Sequence, residues 1–194
     1  MTKWCWLPLA LLLVAGCRPS PSHNEAALTD SAGNVVAPET APVPQAPTPS
    51  SVGDVTNAYV LQAGAGDLFE IESSRAILKR TKDPAIRDFA QMMVSAHTDS
   101  SAKLKQAAAS AGLPPRSPAL SADQRKMLDG IGAAAGSEAD RAYVRAQRTA
   151  HQQALSLHQT YAASGEAPAL KALAAQLAAV VQRHLDALAS LPQG

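Results

Sequence analysis

The 194-residue chain predicts an all-α fold: four long helices in an antiparallel bundle, with one short helix between the second and third. Three observations carry this. Beyond Tyr59, apolar residues recur at helical spacing. No run of alternating valine, isoleucine or aromatic residues suggests a strand. Capping and breaking residues divide the periodic segments, and the connections run from very short to moderate, as neighbouring antiparallel helices need.

The first helix is expected from about Asn57 to Arg80. Asp83-Pro84 pairs a capping carboxylate with proline at the first helical position, and it opens the second. "ASAGLPP" ends that helix, because Gly112 can adopt the left-handed cap and Pro114 forbids continuation. "SADQ" at 121–124 matches a capping box and starts the short helix, which reaches about Ala134. Ser137 with Asp140 restarts the chain as the third long helix, ending at Gly165. The fourth runs from near Pro168 to about Ser190.

Heptad counting places ionisable residues on otherwise apolar seams. Ile86, Ala90, Met93, His97, Ser100 and Leu104 share a stripe of the second helix. Val144, His151, Leu155 and His158 line one side of the third, beside Tyr143, Ala150 and Leu157. Leu170, Leu173, Leu177, Val180, His184 and Leu191 form a stripe of the fourth. On the first helix, Leu61, Ala65, Leu68, Glu72 and Ala76 do so, with Glu70 and Ile71 beside them. Glu72, His97, His151 and His184 fall at similar heights at 1.5 Å of rise per residue. One reading is a divalent transition-metal site, since neutral imidazoles and a carboxylate suit zinc, iron, copper or nickel. Glu70, Asp140 and Tyr143 are its candidate supporting residues. The other reading is a set of core histidines, bonded to Glu72, Tyr143 or Asp140 and fixing helix register. Glu-x-x-His pairs, which di-iron carboxylate bundles use, are absent, so ferroxidase chemistry is poorly supported.

The remaining signals bound the function. Net charge is +1, so composition gives no push towards nucleic acid. Arg141, Arg145 and Arg148 form a ridge that could meet an anionic envelope polymer, although a solvated helix face has the same pattern. "AGAGD" at 63–67 follows no strand and is no phosphate loop. Nothing arranges a serine and a histidine as nucleophile and base.

The amino terminus is read differently. "MTKWCWLPLALLLVAGC" has a lysine, an apolar run and small residues before a cysteine, the pattern of a secretory signal peptide. Its ending resembles the lipobox of bacterial lipoproteins, which implies cleavage after residue 16 and lipidation of Cys17. Arg18, rather than aspartate, resembles the sorting signal for the outer membrane, facing the periplasm. Two or more acyl chains anchor a protein stably, so a membrane is the expected partner. Cys5 would leave with the signal peptide, so the mature chain would hold no free thiol for a disulfide or a cysteine metal site. Residues 17–55 are rich in proline, alanine, serine and threonine and poor in large apolar side chains. They read as a disordered tether spanning roughly 35 Å as a coil and roughly 120 Å extended. His23 lies there and is given no role. Residues 56–194 form the folded domain.

"DLFEIESSRAILKRTKDPAIRDFAQMMVSAHT", "ADRAYVRAQRTAHQQAL" and "QRHLDAL" resemble, in order and spacing, a bacterial family of predicted outer-membrane or exported proteins. That family is a ferritin-like four-helix-bundle domain of unknown function. The resemblance covers about Ala58 to Leu191 and is carried by Glu70, Glu72, Phe89, Ala90, Met93, His97, Asp140, Tyr143, His151 and His184. Ala96, Ala139 and Ala178 depart from its pattern. It implies fold and envelope location and no established activity. Two function classes are therefore carried forward. One is a non-catalytic binding or structural module of the envelope, and the other is a metal-binding or metal-dependent redox protein.

Overall fold

Residues 52–191 are described by a computed structural model, and among them all regular structure is helical: α1 (Val52–Leu78), α2 (Pro84–Ser110), α3 (Ala122–Ala133), α4 (Ser137–Ser164) and α5 (Pro168–Ala189). The signal segment, Cys17, His23 and the tether up to residue 51 lie outside the described residues.

Helix ends follow local chemistry. Asp83 Oδ1 accepts from the amides of Ala85 (2.8 Å) and Ile86 (3.1 Å), with Pro84 at the first position of α2. At the far end, Gly112 takes φ +73°. Its amide bonds Ala109 O and that of Leu113 bonds Ala108 O, the paired closure of a Schellman motif. Ser121 and Gln124 form the complete capping box of α3. The start of α4 departs from expectation. Its cap is Gly136 at φ +57° with no side-chain bond, so Ser137 is the first helical residue and does not cap. Gly165 ends α4 by closeness: a Cβ there would lie 2.5 Å from the Tyr161 carbonyl oxygen.

Helix α1 starts at Val52, inside the segment read as tether. Thr56 explains the extension. It is buried, and its hydroxyl accepts from Tyr161 (3.1 Å), so tertiary contact orders a turn that hydrophobic periodicity does not mark.

Packing forms a ring. α1 contacts α2, α2 contacts α5, α5 contacts α4 and α4 contacts α1, while α3 lies against α1 and α4. Two apolar clusters fill the ring. One holds Phe69, Ile77, Ile86, Phe89, Met93, Ile131, Tyr143 and Leu188. The other holds Tyr59, Ala63, Leu104, Tyr161, Leu170, Leu173 and Leu177, with Tyr59 stacked on Tyr161 at 3.9 Å between ring centroids. On each long helix a buried ionisable residue interrupts the passage from one cluster to the other. Asp67 follows Ala63 and precedes Phe69. His97 lies between Met93 and Leu104, His151 between Ala150 and Tyr161, and His184 between Leu177 and Leu188. The core is thus two apolar layers with a polar layer between them.

Candidate metal centre

The polar layer gathers three histidines from three helices. His97 (α2), His151 (α4) and His184 (α5) are 7, 1 and 6 % exposed. One ring nitrogen from each lies within 4.8 Å of the others. Ring centroids are separated by 5.3 to 5.7 Å. Around a tetrahedral ion with Zn–N bonds of about 2.0–2.1 Å, nitrogens sit about 3.4 Å apart. The preformed cluster needs to contract by a little over about 1 Å to reach that geometry, within the reach of side-chain rotation.

The hydrogen-bond network sets the tautomers. His97 Nδ1 donates to Asp67 Oδ1 (2.8 Å), leaving Nε2 with its lone pair. That Nε2 is buried and has no hydrogen-bond partner. His151 Nδ1 donates to Gln147 O (2.9 Å), with Glu70 Oε1 at 3.3 Å on the same side. His151 Nε2 therefore faces inward and lies 3.3 Å from His184 Nδ1 in a long hydrogen bond. Carboxylates and carbonyls behind imidazole Nδ1 atoms are what orients metal-binding histidines.

Electrostatics separate the rings. Burial, then the neighbouring His151, His97 and Arg183 charges, push the His184 pKa down to about 3, so it stays neutral. Burial also pulls on His151. The Glu70 carboxylate and the bonds to Glu70 and Gln147 outweigh that pull and raise its pKa. Glu70 is itself 3 % exposed, and its second oxygen, Oε2, is buried without a partner.

The remaining predicted site residues lie elsewhere. Glu72 is half-buried on another face of α1, where it lines a surface groove with Arg75, Lys79 and Leu128. The expected α1 seam was about two residues out of phase. The buried stripe of α1 is Ala63, Asp67, Glu70, Ser74 and Ile77, most of it polar, so apolar spacing misplaces it. Asp67 and Glu70 take the place assigned to Glu72, each behind an imidazole. Asp140 and Tyr143 precede His151 by about 16 and about 12 Å along α4. Tyr143 exchanges a 2.8 Å hydrogen bond with Ser74, and Asp140 Oδ1 is a buried atom without a partner. Tyr143 thus joins α4 to α1, and neither residue is part of the histidine cluster. In the arginine ridge, Arg141 and Arg145 both donate to Glu138, at 2.9 Å each, which offsets part of its positive charge.

The family profile of DUF4142, a domain of unknown function, matches residues 40–191. The chain belongs to the DUF4142 family. Among solved structures, the DUF4142 chain is similar to the crystal structure of a DUF305 fragment from Deinococcus radiodurans. The TM-score is 0.56 at 18 % identity, covering 73 % of this chain and 94 % of that one. That likeness shows a shared helical fold. No curated protein matches the sequence significantly. Asp67 is the main DUF4142 site residue that sequence reasoning missed. Its signal was present, because Asp67, Glu70 and Ser74 fall at helical spacing on one face.

Proposed function

We propose that this DUF4142 domain binds one divalent transition-metal ion through His97 Nε2, His151 Nε2 and His184 Nδ1. The observation that carries the reading is the buried, unpartnered Nε2 of His97 facing two further imidazoles, with Asp67 fixing its tautomer. A purely structural polar lock would satisfy that atom, because burying an unpaired polar group is costly. A three-nitrogen set with carboxylates behind it suits zinc or copper(II). The reading is of a metal-binding module, with the three imidazoles as its ligands.

The ring order of the four long helices and their short connections support a ferritin-like antiparallel bundle. The signal pattern ending in Gly16-Cys17 supports a lipid-anchored protein of the outer membrane, holding its metal in the periplasm at the end of the tether. No described helix is long and apolar enough to cross a membrane.

Elemental analysis of the mature protein, purified without chelator and then equilibrated with Zn²⁺ or Cu²⁺, tests the metal reading. About one ion per chain is expected, with loss of it in His97→Ala and His184→Ala. A metal-free wild type after equilibration would sink the proposal and leave the cluster as a register-fixing network.

A further inference from the structure

We propose that the cavity beside the histidines is the passage through which the metal loads and unloads, so that the divalent cation is exchangeable cargo rather than a sealed structural part. This inference rests on the metal reading above. The cavity, about 270 Å³, lies among α1, α3 and α4. Exposed Asp123 and Gln153 stand at its mouth, and buried Asp67, Glu70, His97 and His151 form its floor. It therefore joins solvent to two of the three imidazoles, with room for a partly hydrated ion. Structural metal sites are closed by their ligands and packing, whereas this one has a side opening.

The lining selects the sign of charge. It carries three carboxylates, Asp67, Glu70 and Asp123, and neither lysine nor arginine. Glu70 Oε2 adds a second, independent observation: it is a buried carboxylate oxygen without a hydrogen-bond partner. A cation moving through the cavity gives that oxygen the compensation that the protein does not. Low-dielectric walls focus the field of such groups and raise the local cation concentration.

Gly66 offers a way to close the passage. It lines the cavity, and a Cβ added there would meet no atom within 4 Å. Gly66→Leu therefore places a side chain in the opening without backbone strain, on a helix that leucine favours over glycine. Gly130→Leu is the control, because Gly130 is exposed on α3, is equally uncrowded and does not line the cavity.

The experiment follows Zn²⁺ uptake by stopped flow, and Zn²⁺ release to excess chelator, in the full protein. Gly66→Leu is expected to keep one-to-one binding and an affinity within about threefold of wild type, while both rates fall at least about tenfold. Gly130→Leu keeps wild-type rates. Asp123→Asn lowers the uptake rate about twofold and flattens its dependence on salt. Wild-type rates in Gly66→Leu overturn the passage and leave the metal site standing. Should Gly66→Leu bind no zinc, Asp123→Asn decides, and uptake unchanged across salt concentrations overturns the proposal. A wild type that takes up no zinc overturns the passage together with the site.

Discussion

The carboxylate behind His97 fixes the orientation of its ring. Asp67 Oδ1 holds Nδ1–H, while Asp67 Oδ2 accepts from Ser101 Oγ at 3.2 Å, so the side chain is pinned at both oxygens. Asp67→Asn keeps an acceptor and removes the charge, and it should weaken metal binding about 10- to 100-fold in a competition titration. Unchanged affinity would show that Asp67 does not orient His97. His158 supplies a separate prediction. Its Nδ1 accepts from Tyr59 (3.1 Å), whose hydroxyl burial keeps protonated by raising its pKa. Burial pushes the His158 pKa down to about 4, with Asp67 pulling up and His97 pushing down. Between about 4 and 6.5 the unfolded chain takes a proton that the folded chain refuses, so stability rises with pH across that window. The contribution is complete above pH 6.5 and declines as pH falls through it. Urea unfolding of metal-free protein should therefore show wild type losing about 2 kcal/mol more than His158→Gln between pH 7 and pH 5. Equal losses would show that His158 does not control this slope.

At the scale of elements, helix ends are local and helix phases are not. Asp83 meets two amides of its own chain, so Asp83→Ala should cost about 1 kcal/mol in denaturant unfolding. A cost below about 0.3 kcal/mol would mean that Pro84 alone sets the start of α2. Gly112, Ser121 with Gln124, and Pro168 act over the same short range, and α2, α3, α4 and α5 begin and end within a residue or so of expectation. Phase behaves differently in α1. Asp67, Glu70, Ser73 and Ser74 are buried there against polar partners on other helices. His97 takes Asp67, His151 takes Glu70, Gln147 Nε2 donates to Ser73 Oγ (3.0 Å) and Tyr143 takes Ser74. Hydrophobic spacing cannot reveal a face whose burial depends on partners far away in sequence. In α2, where Ile86, Ala90, Met93, His97, Ser100 and Leu104 are all buried, the predominantly apolar stripe gives the phase directly.

For the whole molecule, the polar layer between two apolar clusters is where the proposed metal would couple binding to folding. The histidines come from α2, α4 and α5, so an ion that joins them clamps three sides of the ring. A ligand that binds only the folded state at 100 times its Kd stabilises by about 2.7 kcal/mol. For a domain of this size that corresponds to a rise in Tm of about 5–10 °C. Saturating Zn²⁺ should produce that rise in wild type and none in His184→Ala, as read by calorimetry. An equal rise in both would place the ion elsewhere. The same helices carry a cost: Glu70 Oε2, His97 Nε2 and Gln147 Oε1 are buried atoms without a hydrogen-bond partner.

The sequence by itself determined that this is an all-α chain, where α2 to α5 begin and end, and that His97, His151 and His184 fall on seams. Caps, prolines and apolar spacing act within a few residues, so they are readable before folding. Only the tertiary structure decided that the three imidazoles meet, that Asp67 and Glu70 rather than Glu72 stand behind two of them, and that a cavity beside α3 reaches those two. Those outcomes depend on relative helix rotation and on hydrogen bonds between residues some 30 to 80 positions apart. No local propensity encodes them.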